Sequence, residues 1–336
     1  MSPSRRSDDR VVASAIVGEV ATTDGSVPGI EVPGLVRRRA MSNGGAGQRW
    51  LDDLPGVVAG LADRWGLRLS HALAGGTASL VVAAEDGAGR RCVLKVAMPL
   101  DMDTGTSFAR SVAVHRLAGG RGCAELLAVD DDAPAMLLER LGPNLHELGM
   151  AIPEVLRTIA TTLRTFWRPV PEDCGLPTGA EGAEWLRGHI VTTWEALARP
   201  CDRAVVDRAL ACCDERAAAF DPAAAVLVHG DAHGWNTLDA GGSTHKLVDP
   251  EGLRSEPAHD LSVPMREYNV PLLEGDTPRL VRARAEMLAA LCDLDPEPVW
   301  QWGYVERVST GLTSMRELGG GEGSDLLEVA ARCLST

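Results

Sequence analysis

The sequence predicts an α+β chain of two lobes, an antiparallel-sheet N-lobe followed by a mainly helical C-lobe. Three observations carry this. Short apolar runs separated by Gly-rich turns crowd between residues 67 and 139. Beyond Gly142-Pro143, apolar residues recur at helical spacing. In that second half only two brief strand-like runs, 225–228 and 246–248, interrupt the helices, and each leads at once into acidic residues. No repeat with a period of 20 to 50 residues is present, so a solenoid is not supported.

Taken in order, residues 1–47 are rich in Gly, Ser, Arg and Pro and read as an appended, flexible segment. The N-lobe is expected over 48–141 and the C-lobe over 142–336. Leu51, Leu54, Val57, Val58, Leu61 and Trp65 mark one amphipathic helix over 50–65. Strands follow at 67–69, 80–84 and 92–97, with turns at Gly75-Gly76 and 86–89, the pattern of an antiparallel meander. A helix over 107–117 stops at Gly119-Gly120, and 125–129 and 135–139 add two strands. Helices are then predicted from Leu156 to Trp167 and over 183–198, 203–220, 277–292, 297–317 and 324–334.

Composition narrows the function. With 336 residues, 45% of them hydrophobic, the chain can bury a sizeable core. It contains no run of the roughly 18 to 20 apolar residues that a membrane span needs. Its first residues, with Arg5, Arg6, Asp8 and Asp9, lack an apolar signal core, so a cytoplasmic location is expected. The eight cysteines form no CxxC pair, which argues against a disulfide framework or a zinc site. A net charge of -14 argues against nucleic-acid or anionic-membrane partners and favours cations. A monomer or homodimer is expected. Of 33 Lys and Arg residues only Lys95 and Lys246 are lysines. Because an ammonium is a compact point charge and a guanidinium a wide planar fork, a lysine that persists in such a background marks a site that Arg does not fit.

The segment carrying chemistry is Val228-His229-Gly230-Asp231-Ala232-His233-Gly234-Trp235-Asn236, followed by Val248-Asp249-Pro250-Glu251-Gly252. Asp231 and Asn236 on one loop, and Asp249 at the end of the next strand, would bring three oxygen groups into one cleft. Phosphoryl transfer needs this set. One carboxylate orients the nucleophilic hydroxyl and accepts its proton, the role that suits Asp231. Hard oxygen ligands hold Mg2+ against the phosphates, the role that suits Asn236 and Asp249.

These residues resemble the HGDxHxxN catalytic loop and the following metal carboxylate of the aminoglycoside phosphotransferases. The stretches Asp249-Pro250-Glu251-Gly252-Leu253 and Glu256-Pro257-Ala258-His259-Asp260-Leu261 are similar to the streptomycin 6-kinase and hydroxyurea phosphotransferase branch, and the resemblance extends over roughly residues 50–318. It implies a protein-kinase-like two-lobe fold with ATP or GTP as co-substrate. It also implies that Asp231 is the base, that Asn236 and Asp249 bind metal, that His229 and His233 hold the loop, and that Asp260 anchors it. Ala232 departs from the larger apolar residue usual in that loop, which leaves its packing in question.

Lys95, on the third predicted strand, stands where kinases place the lysine that contacts the α- and β-phosphates. Upstream, Gly75, Gly76, Thr77 and Ser79 form a small-residue turn whose amides and hydroxyls suit phosphate or turn contacts. The lysine's usual helix partner is missing, since Ser111 stands where a Glu is expected. Another acid such as Asp101 or Asp103 could compensate, the phosphates alone could hold Lys95, or the chain could bind nucleotide without turnover. By the same resemblance, 138–141 is the lobe linker, with Glu139 and Leu141 offering main-chain groups to a purine edge. The acceptor is expected to be a small cationic molecule, with Glu251 and Glu256 among the acidic candidates facing it. Alternatives to an aminoglycoside-like acceptor are hydroxyurea, a tuberactinomycin-type peptide or another hydroxylated metabolite.

Overall fold

A computed structural model describes residues 30–74, 78–99, 106–130 and 132–335. The chain begins with two helices, α1 (Gly34–Ser42) and α2 (Gly44–Trp65). Five strands follow, β1 (Arg68–Ala72), β2 (Ser79–Glu85), β3 (Arg91–Ala97), β4 (Leu126–Asp130) and β5 (Ala135–Glu139), with α3 (Thr106–Ala118) between β3 and β4. They form one antiparallel sheet in the order β1-β2-β3-β5-β4. The predicted meander is present, and β5 enters the sheet beside β3 because the chain returns through α3. Lys95 sits mid-strand in β3, paired with Val81 on one side and Met136 on the other.

Residues 30–47 correct the expectation of a flexible segment. Ile30, Val32, Val36 and Ala40 are buried and pack with Leu51, Leu54, Val58, Leu80, Val82 and Leu94 into the N-lobe core. The short apolar run from Ile30 to Val36 is therefore the face that α1 and its approach turn inward. The Gly-rich end of that segment opens α2 instead, with Gly44 at a φ of 61° after Asn43.

The C-lobe is built on α4 (Ile152–Phe166), α5 (Gly179–Ala196), α6 (Arg203–Ala218), α10 (Thr277–Cys292), α11 (Pro296–Leu318) and α12 (Glu322–Arg332), with short helices α7 (Pro257–Asp260), α8 (Ser262–Arg266) and α9 (Asn269–Leu273) beside the site. The apolar spacing in α4 becomes a buried stripe of Val155, Leu156, Ile159, Leu163 and Phe166. A reciprocal cap starts α5, where Glu181 N–H donates to Thr178 Oγ1 at 3.2 Å and Thr178 N–H donates to Glu181 Oε2 at 2.7 Å. Trp302 and Arg307 of α11 are among the most deeply buried large side chains.

The two strand runs predicted in this half are β6 (Val226–Val228) and β8 (His245–Leu247). Their partners, β9 (Leu253–Ser255) and β7 (Thr237–Asp239), were not predicted, and neither were α7, α8 and α9. Segments of three to five residues carry too little periodicity to be read from sequence. No helix among the described residues is long and apolar enough to cross a membrane.

If α1 belongs to the N-lobe core, a chain that starts at residue 48 loses the burial of Ile30, Val32 and Val36, at about 1.5–3 kcal/mol for each fully buried aliphatic side chain. Chemical denaturation of that truncation is expected to show a large drop in stability. Unchanged unfolding would mean that the segment is a dispensable appendage.

Candidate active site

Asp231 follows the end of β6. The turn before it needs Gly230, which has a φ of 84° and whose position leaves a Cβ only 3.0 Å from the Cβ of Glu251. The loop is anchored from beneath by Asp260, a fully buried carboxylate. Its Oδ2 accepts the His229 N–H at 2.9 Å and the Trp167 Nε1–H at 2.7 Å, and its Oδ1 accepts the Gly230 N–H at 2.7 Å. Burial pushes the Asp260 carboxyl up to about 6 against the pull of these three donors, so it is ionised at neutral pH.

His229 joins the loop to the neighbouring strand. Its Nε2–H donates to the Val248 carbonyl at 3.0 Å, and its Nδ1 accepts the Asp231 N–H at 3.3 Å. Both ring nitrogens are thus used by the neutral imidazole, and burial lowers its pKa to about 4. The His229 carbonyl in turn accepts the N–H groups of Glu251 and Gly252, at 2.9 and 3.0 Å. Asn236 continues the stitching, because its carbonyl accepts the Val248 N–H at 2.9 Å.

The Asn236 amide Nδ2 donates to the Asp231 carbonyl at 3.0 Å and to Asp231 Oδ2 at 3.2 Å. With the nitrogen so committed, the oxygen of that amide is the atom left to face a cation. On the facing strand end, Asp249 is held at a φ of 58°, a left-handed conformation that is costly for a residue with a Cβ. Its carboxylate pairs with Lys95 across the lobes. Desolvation by the cleft walls acts to raise the Asp249 carboxyl, although its side chain is 45% exposed, and the charge and hydrogen bond of Lys95 with the smaller pull of neighbouring histidines make the net shift downward. Asn236 and Asp249 therefore offer one neutral and one anionic oxygen, the sparse and hard donor set that suits Mg2+ completed by phosphates and water.

Asp231 is flanked by an imidazole, whose pKa the carboxylate raises against the effect of burial, and a guanidinium. His233 Nε2 lies 3.3 Å from its Oδ2, and Arg266 lies 3.3 Å from its Oδ1. Burial acts to raise the Asp231 carboxyl, yet His233 and then Arg266 hold it well below the usual carboxylate range. The other face of Arg266 pairs with Glu306 of α11 at 3.0 Å. Sequence reasoning missed Arg266 and Glu306. No motif surrounds Arg266, and a charge on a predicted helix such as α11 is ordinarily a solvated one.

The remaining candidates divide. Lys95 finds its partner in Asp249, an option absent from the sequence reading because 154 residues separate the two. Gly75, Gly76 and Thr77 lie outside the described residues, as do Asp101 and Asp103. Ser79 opens β2 and is only 4% exposed, which removes its hydroxyl as a phosphate contact and leaves it a strand role. Glu139 ends β5, and its N–H donates to the Glu125 carbonyl at 2.9 Å. That bond leaves only its carbonyl for a purine edge, whereas the Leu141 N–H meets no carbonyl among the described residues. Ala232 is fully buried, so the smaller side chain still closes the packing.

Glu251 is exposed at the cleft, where desolvation and the neighbouring charge of Asp231 push its carboxyl up. Glu256 is a correction. Its carboxylate takes the Trp302 Nε1–H at 2.8 Å and pairs with Arg216 at 3.3 Å, so it braces α6 against α11 and is not offered to a substrate.

Two outcomes follow for stability. His115, His229 and His259 are each lowered by burial to about 4 from an ordinary value of 6.5. As pH falls below 6.5 the unfolded chain takes up protons that the native histidines refuse, so their contribution is fully present above 6.5 and lost towards pH 4. His146 and His189, also lowered by burial, add to this decline, while Asp260, Glu251, Glu306, Glu322 and His233, all raised, work in the opposite direction. The test is therefore a difference: over that window stability is expected to fall less in His229→Gln than in wild type, and identical pH dependence of the two would contradict the buried neutral assignment of His229. Separately, Asp260→Asn turns an amide NH2 towards N–H groups and leaves donors unmet, at about 1–3 kcal/mol for each such group. A melting temperature equal to wild type would show that the anchor is dispensable.

Comparison with known proteins follows the same lines. The family model described as aminoglycoside/hydroxyurea antibiotic resistance kinase matches residues 64–318. The chain is 31% identical to the streptomycin 6-kinase of Streptomyces griseus, over 86% of this chain and 92% of that one. It is 29% identical to the hydroxyurea phosphotransferase of Kitasatospora aureofaciens, over 81% and 77% respectively. Among solved structures, a thermostable mutant of aminoglycoside phosphotransferase APH(4)-Ia, in ternary complex with AMP-PNP and hygromycin B, superposes with a TM-score of 0.54 at 18% identity, covering 83% of this chain and 97% of that one. A choline kinase from Cryptosporidium parvum gives a TM-score of 0.54 at 9% identity, covering 83% and 94%. These structures share the two-lobe kinase fold.

Proposed function

The chain belongs to the aminoglycoside/hydroxyurea antibiotic resistance kinases, and we propose that it transfers the γ-phosphoryl group of ATP or GTP to a hydroxyl of a cationic, streptomycin-like aminoglycoside, so conferring resistance. The observation that carries this reading is the joining of the Asp231 loop to the Asp249 strand through His229 and Asn236. One loop and one hairpin thereby bring a base and two oxygen ligands to the same cleft that Lys95 enters from the N-lobe.

In this reading the N-lobe holds the nucleotide and the C-lobe the acceptor. Lys95 leaves Asp249 and pairs with the α- and β-phosphates, which frees that carboxylate for a cation. Asn236 and Asp249 would hold Mg2+, which when bound would neutralise charge on the phosphates. Asp231, kept ionised by His233 and Arg266, accepts a hydrogen bond from the acceptor hydroxyl and orients its oxygen in line with the γ-phosphorus. The new O–P bond forms as the bond from that phosphorus to the β-bridging oxygen breaks, and the nucleoside diphosphate leaves with the electron pair. Because Asp231 has low proton affinity, it takes the hydroxyl proton late, once the oxygen carries phosphorus. Arg266 keeps the carboxylate aimed, and Glu306 keeps Arg266 from swinging away.

Glu251, at the open side of the cleft, supplies negative charge facing a guanidino or amino group of the acceptor. A hydroxyurea-type acceptor is the second reading, favoured by the relative of that activity. A nucleotide holder without turnover, suggested by Ser111, would bind Mg-nucleotide and transfer nothing; the intact set of Asp231, Asn236 and Asp249 on one stitched loop and strand end disfavours it.

The test is incubation with Mg2+ and ATP or GTP against streptomycin, other aminoglycosides and hydroxyurea, with products read by mass spectrometry. One added phosphoryl group on an aminoglycoside is expected. Asp231→Ala is expected to lower kcat by about 10²–10⁴-fold while nucleotide binding stays near wild type. Full transfer by that variant would remove Asp231 as the base, and transfer to hydroxyurea alone would favour the second reading.

A further inference from the structure

Lys246 is the second of the two lysines in a chain that otherwise uses arginine, and phosphate chemistry does not explain it. It lies in β8, opposite Leu238 of β7, two residues before Val248 and three before Asp249. Its Nζ pairs with Oε1 of Glu139, the last residue of β5 and the second of the lobe linker. The two side chains are 23% and 24% exposed, drier than a surface pair.

Glu139 is itself fixed on both sides. Its Oε1 also accepts the Glu125 N–H at 2.8 Å, and its own N–H donates to the Glu125 carbonyl at 2.9 Å. A single oxygen shared between a main-chain N–H and a cation suits the point charge of an ammonium. The longer, planar fork of Arg would engage Oε1 and Oε2 together and so would have to turn the carboxylate away from the Glu125 N–H that Oε1 now accepts.

The contact closes a seam between the linker and the hairpin. Gly142 N–H donates to the Asp239 carbonyl at 2.7 Å and Asp239 N–H to the Pro143 carbonyl at 2.9 Å, while Ala124 N–H and the Leu247 carbonyl meet at 2.9 Å. The same hairpin is bounded by Asn236 before β7 and Asp249 after β8. The linker that would meet the purine and the strands that would bear the metal ligands are thus one fastened unit, and Lys246 is its side-chain clasp.

We propose that Lys246 is a positioning residue for the nucleotide: through Glu139 it fixes the lobe linker against the hairpin carrying Asn236 and Asp249, and so sets nucleotide affinity without touching the acceptor. This rests on the kinase reading above. It also accounts for the lysine economy of the chain, since both lysines serve the nucleotide cleft, one at the phosphates and one behind the linker.

The experiment measures Mg·ADP binding by titration calorimetry and, with the acceptor found above, steady-state kinetics for wild type, Lys246→Met, Lys246→Arg and the double variant Glu139→Gln/Lys246→Met. Lys246→Met is expected to raise the nucleotide Kd and KM about tenfold, with acceptor KM and kcat changed less than about twofold. Lys246→Arg is expected to recover little of the loss. The double variant is expected to be no worse than Lys246→Met, because the pair acts as a unit. Unchanged nucleotide Kd would overturn the proposal, as would equal losses in nucleotide KM, acceptor KM and kcat, the pattern of general damage. If Lys246→Met fails to fold by circular dichroism, Lys246→Gln is read in its place on the same criteria. The binding arm needs no acceptor, so a wild type that binds Mg·ADP but phosphorylates nothing would sink the kinase reading while the Kd comparison still decides the role of Lys246. A wild type that binds no nucleotide would overturn both.

Discussion

The carboxylate of Asp260 is the contact on which the site hangs. It is wholly buried, it lies in a helix of four residues, and it draws three N–H groups from two other elements onto its oxygens. Burying an ion is costly unless its lone pairs find donors, and here two of the three donors are main-chain N–H groups of the catalytic loop itself. The loop cannot shift without exposing that cost. From this anchor the order passes outward through His229 to Val248 and so to Asp249, and Lys95 then ties Asp249 to the other lobe.

A second layer fixes the cation beside Asp231. Arg284 donates to the carbonyls of Met265, at 3.1 Å, and of Glu267, and Arg307 donates to the Met265 carbonyl and the Asn269 side chain. Both guanidiniums are buried without a carboxylate partner among these contacts, and burial lowers them to about 10 and about 9. Their work is geometric: they clamp a short stretch that bends through Tyr268 at a φ of 55° and ends α8 with Arg266 aimed at Asp231. Strain is tolerated there because four or more hydrogen bonds over-determine the turn.

Much of this was legible in the sequence, and for identifiable reasons. The helix of 50–65 and the meander that places Lys95 mid-sheet are long, periodic segments, and each appears in the structure within a few residues of its predicted bounds, although α2 begins at Gly44. The loop residues Asp231, Asn236 and Asp249 were readable because their chemistry is local and their spacing short. What sequence could not supply was contact across the chain. The pairing of Lys95 with Asp249, of Arg266 with Glu306 and of Lys246 with Glu139 each joins residues distant in sequence, with no motif to link them. Glu256 was misread for the same cause, since the Trp302 and Arg216 that occupy it come from other helices. The start of the N-lobe was misjudged because Gly and Arg in 34–49 outweigh a short apolar stripe whose value appears only when the sheet is there to receive it.

The measurement that bears most directly on the account is a crystal structure with Mg2+ and a non-hydrolysable nucleotide triphosphate. The account predicts that Lys95 has left Asp249 for the phosphates, that Asp249 and the side-chain oxygen of Asn236 ligate the metal, and that Asp231 remains held by Arg266 and His233 beside the γ-phosphate. A bound nucleotide with Lys95 still on Asp249, or with the metal held elsewhere, would contradict it.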